Sequence, residues 1–239
     1  MDKNKQLQLW ASTPIPPIPL ESPRTEPIES GESLVYMNNL HPRIRFLASY
    51  AEQNIPGANR DLYLRQTVSD LLCRAVELLP EDMGLAIFDG LRPMAVQQAL
   101  FDDYKARLAT EHPAWDEATL IHETCRFVAY PDLARPSGHL TGGAVDLTLC
   151  CGDELLDLGT VFDDFRPIAG TRYFERDDLT DEEKQIRDNR RILYHLLTSV
   201  GFTNYDEEWW HFDYGNTSWA RQKDKTPFYG GCEAPGGSR

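Results

Sequence analysis

The sequence lacks an apolar run of the roughly 20 residues that a helix needs to cross a bilayer, so we expect no membrane-spanning segment and no membrane partner. Its first twenty residues contain no uninterrupted apolar stretch and no convincing cleavage site, which argues against a secretory signal. Basic residues are scarce: 24 Lys and Arg face 38 Asp and Glu, and the formal charge is −14. Such a surface repels a phosphate backbone. These absences predict a cytoplasmic protein that does not bind nucleic acid.

Several common site signatures are also missing. The five cysteines form an odd set with no CxxC spacing, which argues against both a disulfide framework and a thiolate zinc site. Neither the G-x-x-x-x-G-K phosphate loop nor the G-x-S-x-G nucleophile elbow occurs. We therefore expect free thiols and a chemistry that depends on neither a nucleotide nor an activated serine. The cysteines are Cys73, Cys125, Cys150, Cys151 and Cys232.

Proline is concentrated near the amino terminus. Six of the 16 prolines fall within residues 14–27, a stretch that cannot form a regular helix or a central strand. The interleaved Ile15, Ile18 and Leu20 favour packing along the parent domain, and binding to a proline-recognising partner is the alternative. Residues 1–32 are therefore interpreted as a proline-rich leader.

Apolar periodicity in the rest of the chain predicts helices alternating with short strands. Helices are expected at 60–79, 93–108, 115–128 and 180–200, the last opened by a capping box of Thr180 and Glu183 and ended by Gly201. Strands are expected at 84–88, at 144–149 and within 202–214. The acidic stretch 162–183 is expected to run over the surface. Together these elements predict one α+β domain at 33–216, with a small, mostly antiparallel sheet packed by helices, and a tail at 217–239.

The strand at 144–149 places a carboxylate opposite the core. Val145 and Leu147 face one side of an alternating strand, so Asp146 faces the other. His139 precedes it by seven residues across a Gly142-Gly143 turn, which lets the chain fold back. The imidazole and the carboxylate could therefore meet and supply one nitrogen and one oxygen ligand, a pair suited to zinc.

A second cluster, E-W-W-H at residues 208–211, adds another imidazole inside an aromatic stretch that would exclude water. His211 could complete three protein ligands and leave the fourth position open, as in catalytic zinc sites. Glu208 would then be free to act as a base. Taken singly, each of these residues fits a hydrogen-bonded core position. Taken together with the glycine turn, they favour a metal site.

Two ordered motifs carry a family resemblance. S-G-H-L-T-G-G-A-V-D at 137–146 fits an S-x-H-x-x-G-x-A-x-D pattern, and E-W-W-H at 208–211 fits an E-x-W-H pattern, both found in the zinc peptidases that include VanX-type D-alanyl-D-alanine dipeptidases. FDGLRP at 88–93 resembles that family's arginine-bearing turn, and LDLGTVFD at 156–163 resembles a segment of the dipeptidase branch. The resemblance covers residues 33–214 and leaves the leader and the tail outside.

The resemblance implies a catalytic role for five residues. His139, Asp146 and His211 match the ligands of one zinc ion per chain, and Glu208 matches the base that takes a proton from the attacking water. Arg92 matches an arginine that stabilises negative charge on the scissile carbonyl. The family fold is a small α+β domain with its zinc cleft on the face of an antiparallel sheet.

The resemblance also implies how a small dipeptide substrate would be held. Ser137 matches a residue that helps to bind the substrate carboxylate, and Asp157 matches an acid that engages the free amino group. Asp89 and Asp163 lie next to matched motifs, and we expect turn or hydrogen-bonding roles for both.

The expected activity is hydrolysis of D-Ala-D-Ala to free D-alanine by a zinc metallopeptidase. Three alternatives stay open: a D,D-carboxypeptidase, a dipeptidase for other D-amino acids, and a zinc-containing binding protein without turnover. The biological purpose, glycopeptide resistance or recycling of dipeptide derived from peptidoglycan of the cell wall, does not follow from the residues, and neither does the oligomeric state. The proline-rich leader and the Cys150-Cys151 pair depart from the family's pattern, which puts the preference for alanine in doubt.

Overall fold

A mostly antiparallel sheet forms the centre of the computed structural model, which describes residues 2–19 and 25–235. Only its first pair of strands is parallel, and every other pair is antiparallel. The expectation of an α+β domain with a small, mostly antiparallel sheet is therefore confirmed. The strands are numbered along the chain, and their order across the sheet is β2 (Ile44–Phe46), β4 (Met83–Asp89), β5 (Ala144–Cys151), β8 (Glu208–Asp213) and β7 (Thr203–Tyr205). A short strand, β6 (Glu154–Leu155), pairs with the end of β5. The strands β1 (Leu34–Tyr36) and β3 (Tyr63–Arg65) form a separate antiparallel ribbon.

Helices pack against this sheet and against one another. Two of them, α3 (Gln66–Glu77) and α6 (Asp181–Val200), contact each other and the central strands, and their apolar residues contribute to the main core. Among the described residues, no helix combines the length and the apolar character needed to cross a membrane. The helices are α1 (Lys3–Ser12), α2 (Ser49–Glu52), α3 (Gln66–Glu77), α4 (Met94–Glu111), α5 (Glu117–Thr124), α6 (Asp181–Val200) and α7 (Thr217–Lys223).

Helix α6 has the boundaries that its sequence predicts. The Thr180 hydroxyl accepts a hydrogen bond from the Glu183 backbone, and the Glu183 carboxylate accepts one from the Thr180 backbone. Gly201 ends the helix at a φ of 117°, a conformation that glycine adopts without a steric penalty. Local side-chain chemistry is sufficient to define both ends of this element.

Two expected helices are shorter than predicted. The helix expected from residue 60 begins at Gln66, because residues 63–65 pair with β1 as a strand instead. There Leu62 and Leu64 are both buried, an alternation that strand geometry satisfies. The helix expected at 115–128 is α5, which begins after Asp116, whose carboxylate accepts a hydrogen bond from the Thr119 backbone.

The leader contains a helix that was not expected. Helix α1 precedes the first proline and packs along α6, where Trp10 is buried. The extended stretch after it buries Ile15, which is 2% exposed, so the expectation that the leader packs on the domain is confirmed there. Ile18 is half-buried, and Leu20 lies outside the described residues.

The acidic stretch 162–183 does more than run over the surface, so that expectation is wrong in part. Phe174 is 2% exposed and belongs to the interior. The buried guanidinium of Arg190 on α6 donates hydrogen bonds to the carbonyls of Leu158, Ile168 and Gly170. The bonds to Ile168 and Gly170 attach the stretch to α6, and Phe162 at its start stacks on Phe88 of β4.

Candidate active site

A cleft of about 590 Å³ opens on the face of the sheet opposite the main core. It is lined by residues from α2, α4, β5, β7, β8, α7 and the adjoining loops. Six of the seven residues singled out in the sequence line this cleft, and Asp157 does not. The six are Arg92, Ser137, His139, Asp146, Glu208 and His211.

Strand register brings two of the expected zinc ligands together. Asp146 on β5 is the direct cross-strand partner of His211 on β8. Val145 and Phe212, their neighbours along the two strands, are fully buried on the core side. Because side chains alternate along a strand, burial of those neighbours directs the carboxylate and the imidazole into the cleft.

The third ligand comes from the turn before β5. His139 opens a short 3₁₀ turn, His139–Thr141, and Gly142 follows it at a φ of 69°. This left-handed glycine reverses the chain, so that the imidazole returns over the strand that carries Asp146. The glycine turn that the sequence singled out therefore has the predicted effect.

The three side chains meet at one point. His139 Nε2 lies 3.2 Å from Asp146 Oδ2 and 3.2 Å from His211 Nδ1, and His211 Nδ1 lies 2.9 Å from Asp146 Oδ1. One ligand atom from each residue falls within 4.8 Å of the others. Two nitrogens and one oxygen in this arrangement fit zinc with an open fourth position.

The outward nitrogens of both imidazoles are occupied. His139 Nδ1 lies 2.9 Å from the Gly90 carbonyl oxygen and 3.3 Å from Asp89 Oδ2, whereas His211 Nε2 lies 3.1 Å from Asp213 Oδ2. Metal-bound histidines commonly donate their other nitrogen to such oxygens, which sets the ring orientation. The contacts leave His139 Nε2 and His211 Nδ1 to face the shared centre. Asp213 was missed in the sequence, although it lies two residues after His211 on the same face of β8.

Charges in the cluster stabilise one another. Burial raises the pKa of Asp146, but the nearby His139 and His211 outweigh this and hold that pKa below its usual value. Burial lowers the pKa of His211, whereas the adjacent Asp213 and Asp146 carboxylates raise it well above its usual value. The Asp146 carboxylate is therefore kept negative between the two imidazoles.

Glu208 stands beside the three ligands without joining them. Its Oε2 is 4.0 Å from His211 Nδ1, at the start of β8. Burial raises the pKa of Glu208 to about 8, and the Asp146 carboxylate adds to the rise while His211 opposes it. A cation held by the three ligands would lower this pKa. The position and the environment are those of a group that exchanges a proton with a molecule in the cleft.

Arg92 is held rigidly at the end of β4. Its Nε donates to Asp89 Oδ2 at 2.8 Å, its Nη1 to Gln97 Oε1 at 3.0 Å, and its Nη2 to Tyr50 Oη at 3.1 Å. Nη2 also lies 3.8 Å from Asp146 Oδ2. A fixed positive charge therefore lies next to the ligand cluster. Tyr50 and Gln97 were not singled out in the sequence, because neither belongs to a motif.

Ser137 offers an unused hydroxyl to the cleft. Its Oγ is buried and has no hydrogen-bond partner among the described residues. Buried hydroxyls in proteins are nearly always satisfied, so an unsatisfied one at a cleft wall suits a polar ligand group. This agrees with the substrate-binding position that the resemblance implies.

Asp157 lies away from the cleft and Asp163 lies within it. Asp157 is exposed, and its carboxylate accepts a hydrogen bond from the Gly159 backbone at 2.7 Å in a local turn. Asp163, at a φ of 62°, lines the cleft beside Tyr50 and Arg92. Burial raises the pKa of Asp163 to about 7, against the opposing effect of Arg92. Of the two acids, Asp163 therefore lines the cleft, and the role that the sequence assigns to Asp157 stays a prediction.

Comparisons with known proteins agree with this geometry. Residues 42–227 match the model of the Peptidase_M15 family, described as D-ala-D-ala dipeptidase. The chain belongs to this family. The family consists of zinc peptidases, and the His-Asp-His donor set of the cleft suits zinc. The cofactor is therefore zinc.

Individual relatives have low sequence identity to this chain, but the matches extend over most of it. A protein of Synechocystis sp. named D-alanyl-D-alanine dipeptidase is 28% identical to this chain, and the match covers 62% of this chain and 69% of the relative. Proteins of the same name are 29% identical in Streptomyces coelicolor and 27% identical in Enterococcus faecium. Each of these two matches covers 74% of this chain and 89% of the relative. A solved structure of the vancomycin resistance D,D-pentapeptidase VanY in complex with Zn(II) aligns with a TM-score of 0.41 and 16% identity, over 91% of this chain and 96% of that one.

Replacing Asp213 tests the support of the metal ligands. In Asp213→Asn, His211 loses its charged partner, and we expect zinc affinity to fall about 10- to 100-fold. Competition with a chelating dye measures the affinity. Asp153→Asn is the control, because Asp153 is a fully exposed aspartate outside the cleft. Equal zinc affinities for the two variants would contradict the assignment.

Proposed function

We propose that this chain is a zinc-dependent dipeptidase that hydrolyses D-Ala-D-Ala to free D-alanine. The observation that carries the proposal is the meeting of His139, Asp146 and His211 at one point, with Glu208 beside them and Arg92 next to Asp146. Membership in the D-ala-D-ala dipeptidase family supports the same substrate. The cleft is also large enough to enclose a dipeptide.

His139, Asp146 and His211 would hold the zinc ion, which supplies Lewis acidity for water activation and for polarising the scissile carbonyl. Glu208 accepts the proton of the attacking water and returns it to the leaving amine. The cleft position of its carboxylate, 4.0 Å from a ligand nitrogen, suits both transfers. Its burial favours uptake of a proton, because a buried carboxylate is more stable when neutral.

Arg92 stabilises the negative charge that develops on the carbonyl oxygen. The guanidinium is preorganised by Asp89, Gln97 and Tyr50, so little reorganisation is needed when the charge forms. Removing one such donor costs on the order of 3 kcal/mol in comparable enzymes. Its neighbour Asp146 keeps the guanidinium close to the reacting atoms.

Recognition of both ends restricts the substrate to a dipeptide. The unpartnered hydroxyl of Ser137 binds the substrate carboxylate, and Asp163 takes the role of amine partner that the sequence interpretation gave to Asp157. Asp163 lies in the cleft beside Tyr50, where a charged amine would stabilise its ionised form. A longer peptide places its amine elsewhere and leaves this buried carboxylate unpaired, which costs binding energy.

The same proposal includes a cytoplasmic location and a substrate derived from the cell wall. All five cysteines are free thiols, which agrees with a reducing compartment. The net charge of −14 agrees with a small-molecule substrate in preference to nucleic acid.

A peptide panel tests the activity. The purified protein should release D-alanine from D-Ala-D-Ala, leave L-Ala-L-Ala and a pentapeptide ending in D-Ala-D-Ala largely uncut, and lose activity when a chelator removes zinc. Chromatographic detection of the free amino acids gives the rates. Preferential cleavage of the pentapeptide would make the protein a D,D-carboxypeptidase, and absence of any cleavage with zinc bound would favour a binding protein.

Two substitutions separate chemistry from metal binding. Glu208→Ala should retain zinc but lose activity by a factor of about 10² to 10⁴, the usual contribution of a general base. His139→Ala should lose both zinc and activity. Zinc content and D-alanine release are measured on the same samples. A Glu208→Ala protein that turned over at the parental rate would disprove the base assignment.

A matched pair of aspartates tests substrate recognition. Asp163→Asn should lower kcat/KM for D-Ala-D-Ala about 10- to 100-fold, because a charge-assisted hydrogen bond contributes about 1.5–3 kcal/mol. Asp157→Asn should leave kcat/KM near the parental value, since Asp157 is exposed outside the cleft. The reverse pattern in steady-state kinetics would restore Asp157 as the amine partner.

A further inference from the structure

Every carbonyl of the turn that carries His139 is held by a distant part of the chain. Five consecutive carbonyl oxygens, from residue 139 to residue 143, each accept a hydrogen bond from a residue remote in sequence. The donors are the Arg92 backbone to His139 at 3.2 Å, the Cys232 backbone to Leu140 at 2.8 Å, Arg65 Nε to Thr141 at 2.9 Å, the Arg65 backbone to Gly142 at 3.0 Å and the Tyr214 backbone to Gly143 at 2.7 Å.

Arg65 supplies two of these five bonds. It lies at the end of β3, and only 4% of its surface is exposed. The rest of its guanidinium binds the Glu32 carbonyl at 2.6 Å, the Glu29 carboxylate at 3.1 Å and the Gly230 carbonyl at 3.3 Å. One buried cation thus joins the turn to two segments from opposite ends of the chain.

These two segments, residues 28–32 and residues 227–232, bind each other and are called the clasp. Backbone hydrogen bonds of 2.9 Å join Ile28 to Pro227 and Ser30 to Phe228. The Tyr229 hydroxyl donates to the Glu32 carboxylate at 2.8 Å. All of the clasp except Pro227 lies outside the residues that match the family.

The clasp reaches the turn at close range. The Cys232 backbone bonds directly to Leu140, the residue after the zinc ligand. The Tyr229 ring packs so tightly that a Cβ added at Gly143 would lie 2.9 Å from it. Glycine at this position therefore permits direct contact between the clasp and the chain that links His139 to Asp146.

We infer that Arg65 is a positioning residue and that, with the clasp, it holds the His139 turn in its metal-binding conformation. The inference rests on the proposed zinc site. A ligand on an unrestrained turn must be ordered when the metal binds, and that ordering weakens affinity. Arg65 and the clasp provide this order in advance through the turn's own carbonyls, without touching the metal or the substrate.

Zinc affinity and turnover at saturating zinc distinguish positioning from general stability. Arg65→Met keeps the aliphatic stem and removes the guanidinium. We expect its zinc dissociation constant to rise about 10-fold or more, while excess zinc restores most of kcat and KM stays near the parental value. Tyr229→Phe, which removes only the hydroxyl bonded to Glu32, should shift the dissociation constant in the same direction by a smaller factor.

Arg191→Met is the matched control. Arg191 is also a buried arginine, but it binds Glu175 and the Ala11 carbonyl, and none of these three residues lines the cleft. The Arg191→Met variant should unfold at a lower urea concentration than the parental protein, and its zinc affinity should be unchanged. An unchanged zinc affinity in Arg65→Met, or an equal loss in the control, would overturn the inference. If the Arg65→Met variant does not fold, the Tyr229→Phe variant decides: an unaltered zinc affinity in Tyr229→Phe would also overturn the inference.

Chelator competition measures zinc binding without any substrate, so the two proposals can fail separately. A parental protein that binds zinc through His139 but does not hydrolyse D-Ala-D-Ala would refute the proposed activity and leave the positioning role intact. A parental protein that hydrolyses the dipeptide, together with an Arg65→Met variant of parental zinc affinity, would do the opposite.

Discussion

The cross-strand pairing of Asp146 with His211 is the constraint on which the site depends. It places a carboxylate and an imidazole on one face of the sheet while Val145 and Phe212 anchor the same strands in the core. His139 completes the set from a turn, so a rigid sheet supplies two ligands and a short reversal supplies the third. Buried polar groups need partners, and a divalent cation at this meeting point would accept a lone pair from the carboxylate and from each neutral imidazole.

Oxygen atoms around this centre contact the imidazole nitrogens that face away from it. Asp213 and the Gly90 carbonyl orient the two imidazoles, and Asp89 links His139 to Arg92. The Asp89 carboxylate therefore contacts both a proposed zinc ligand and the residue proposed to stabilise the transition state. In the proposed site, this shared contact links the orientation of a metal-binding imidazole to the orientation of the guanidinium that faces the substrate carbonyl.

The sequence was most informative where chemistry is local. The spacing of His139 and Asp146 and the capping box at Thr180 act within a few residues, and both are found as expected. Which acid of the segment 156–163 faces the cleft depends on where a turn directs each side chain, and spacing does not show this. Arg65 contacts segments near both ends of the chain, and α1 packs on α6. Both sets of contacts join segments remote in sequence, so no sequence motif predicts them.

In the proposed site, two imidazoles and one carboxylate bind a single zinc ion and leave one coordination position open. X-ray absorption at the zinc edge of the zinc-loaded protein measures this coordination. We expect about four nitrogen or oxygen neighbours at about 2.0–2.2 Å, with two imidazoles and no sulfur. A sulfur neighbour at about 2.3 Å, or a spectrum without imidazole scattering, would contradict it.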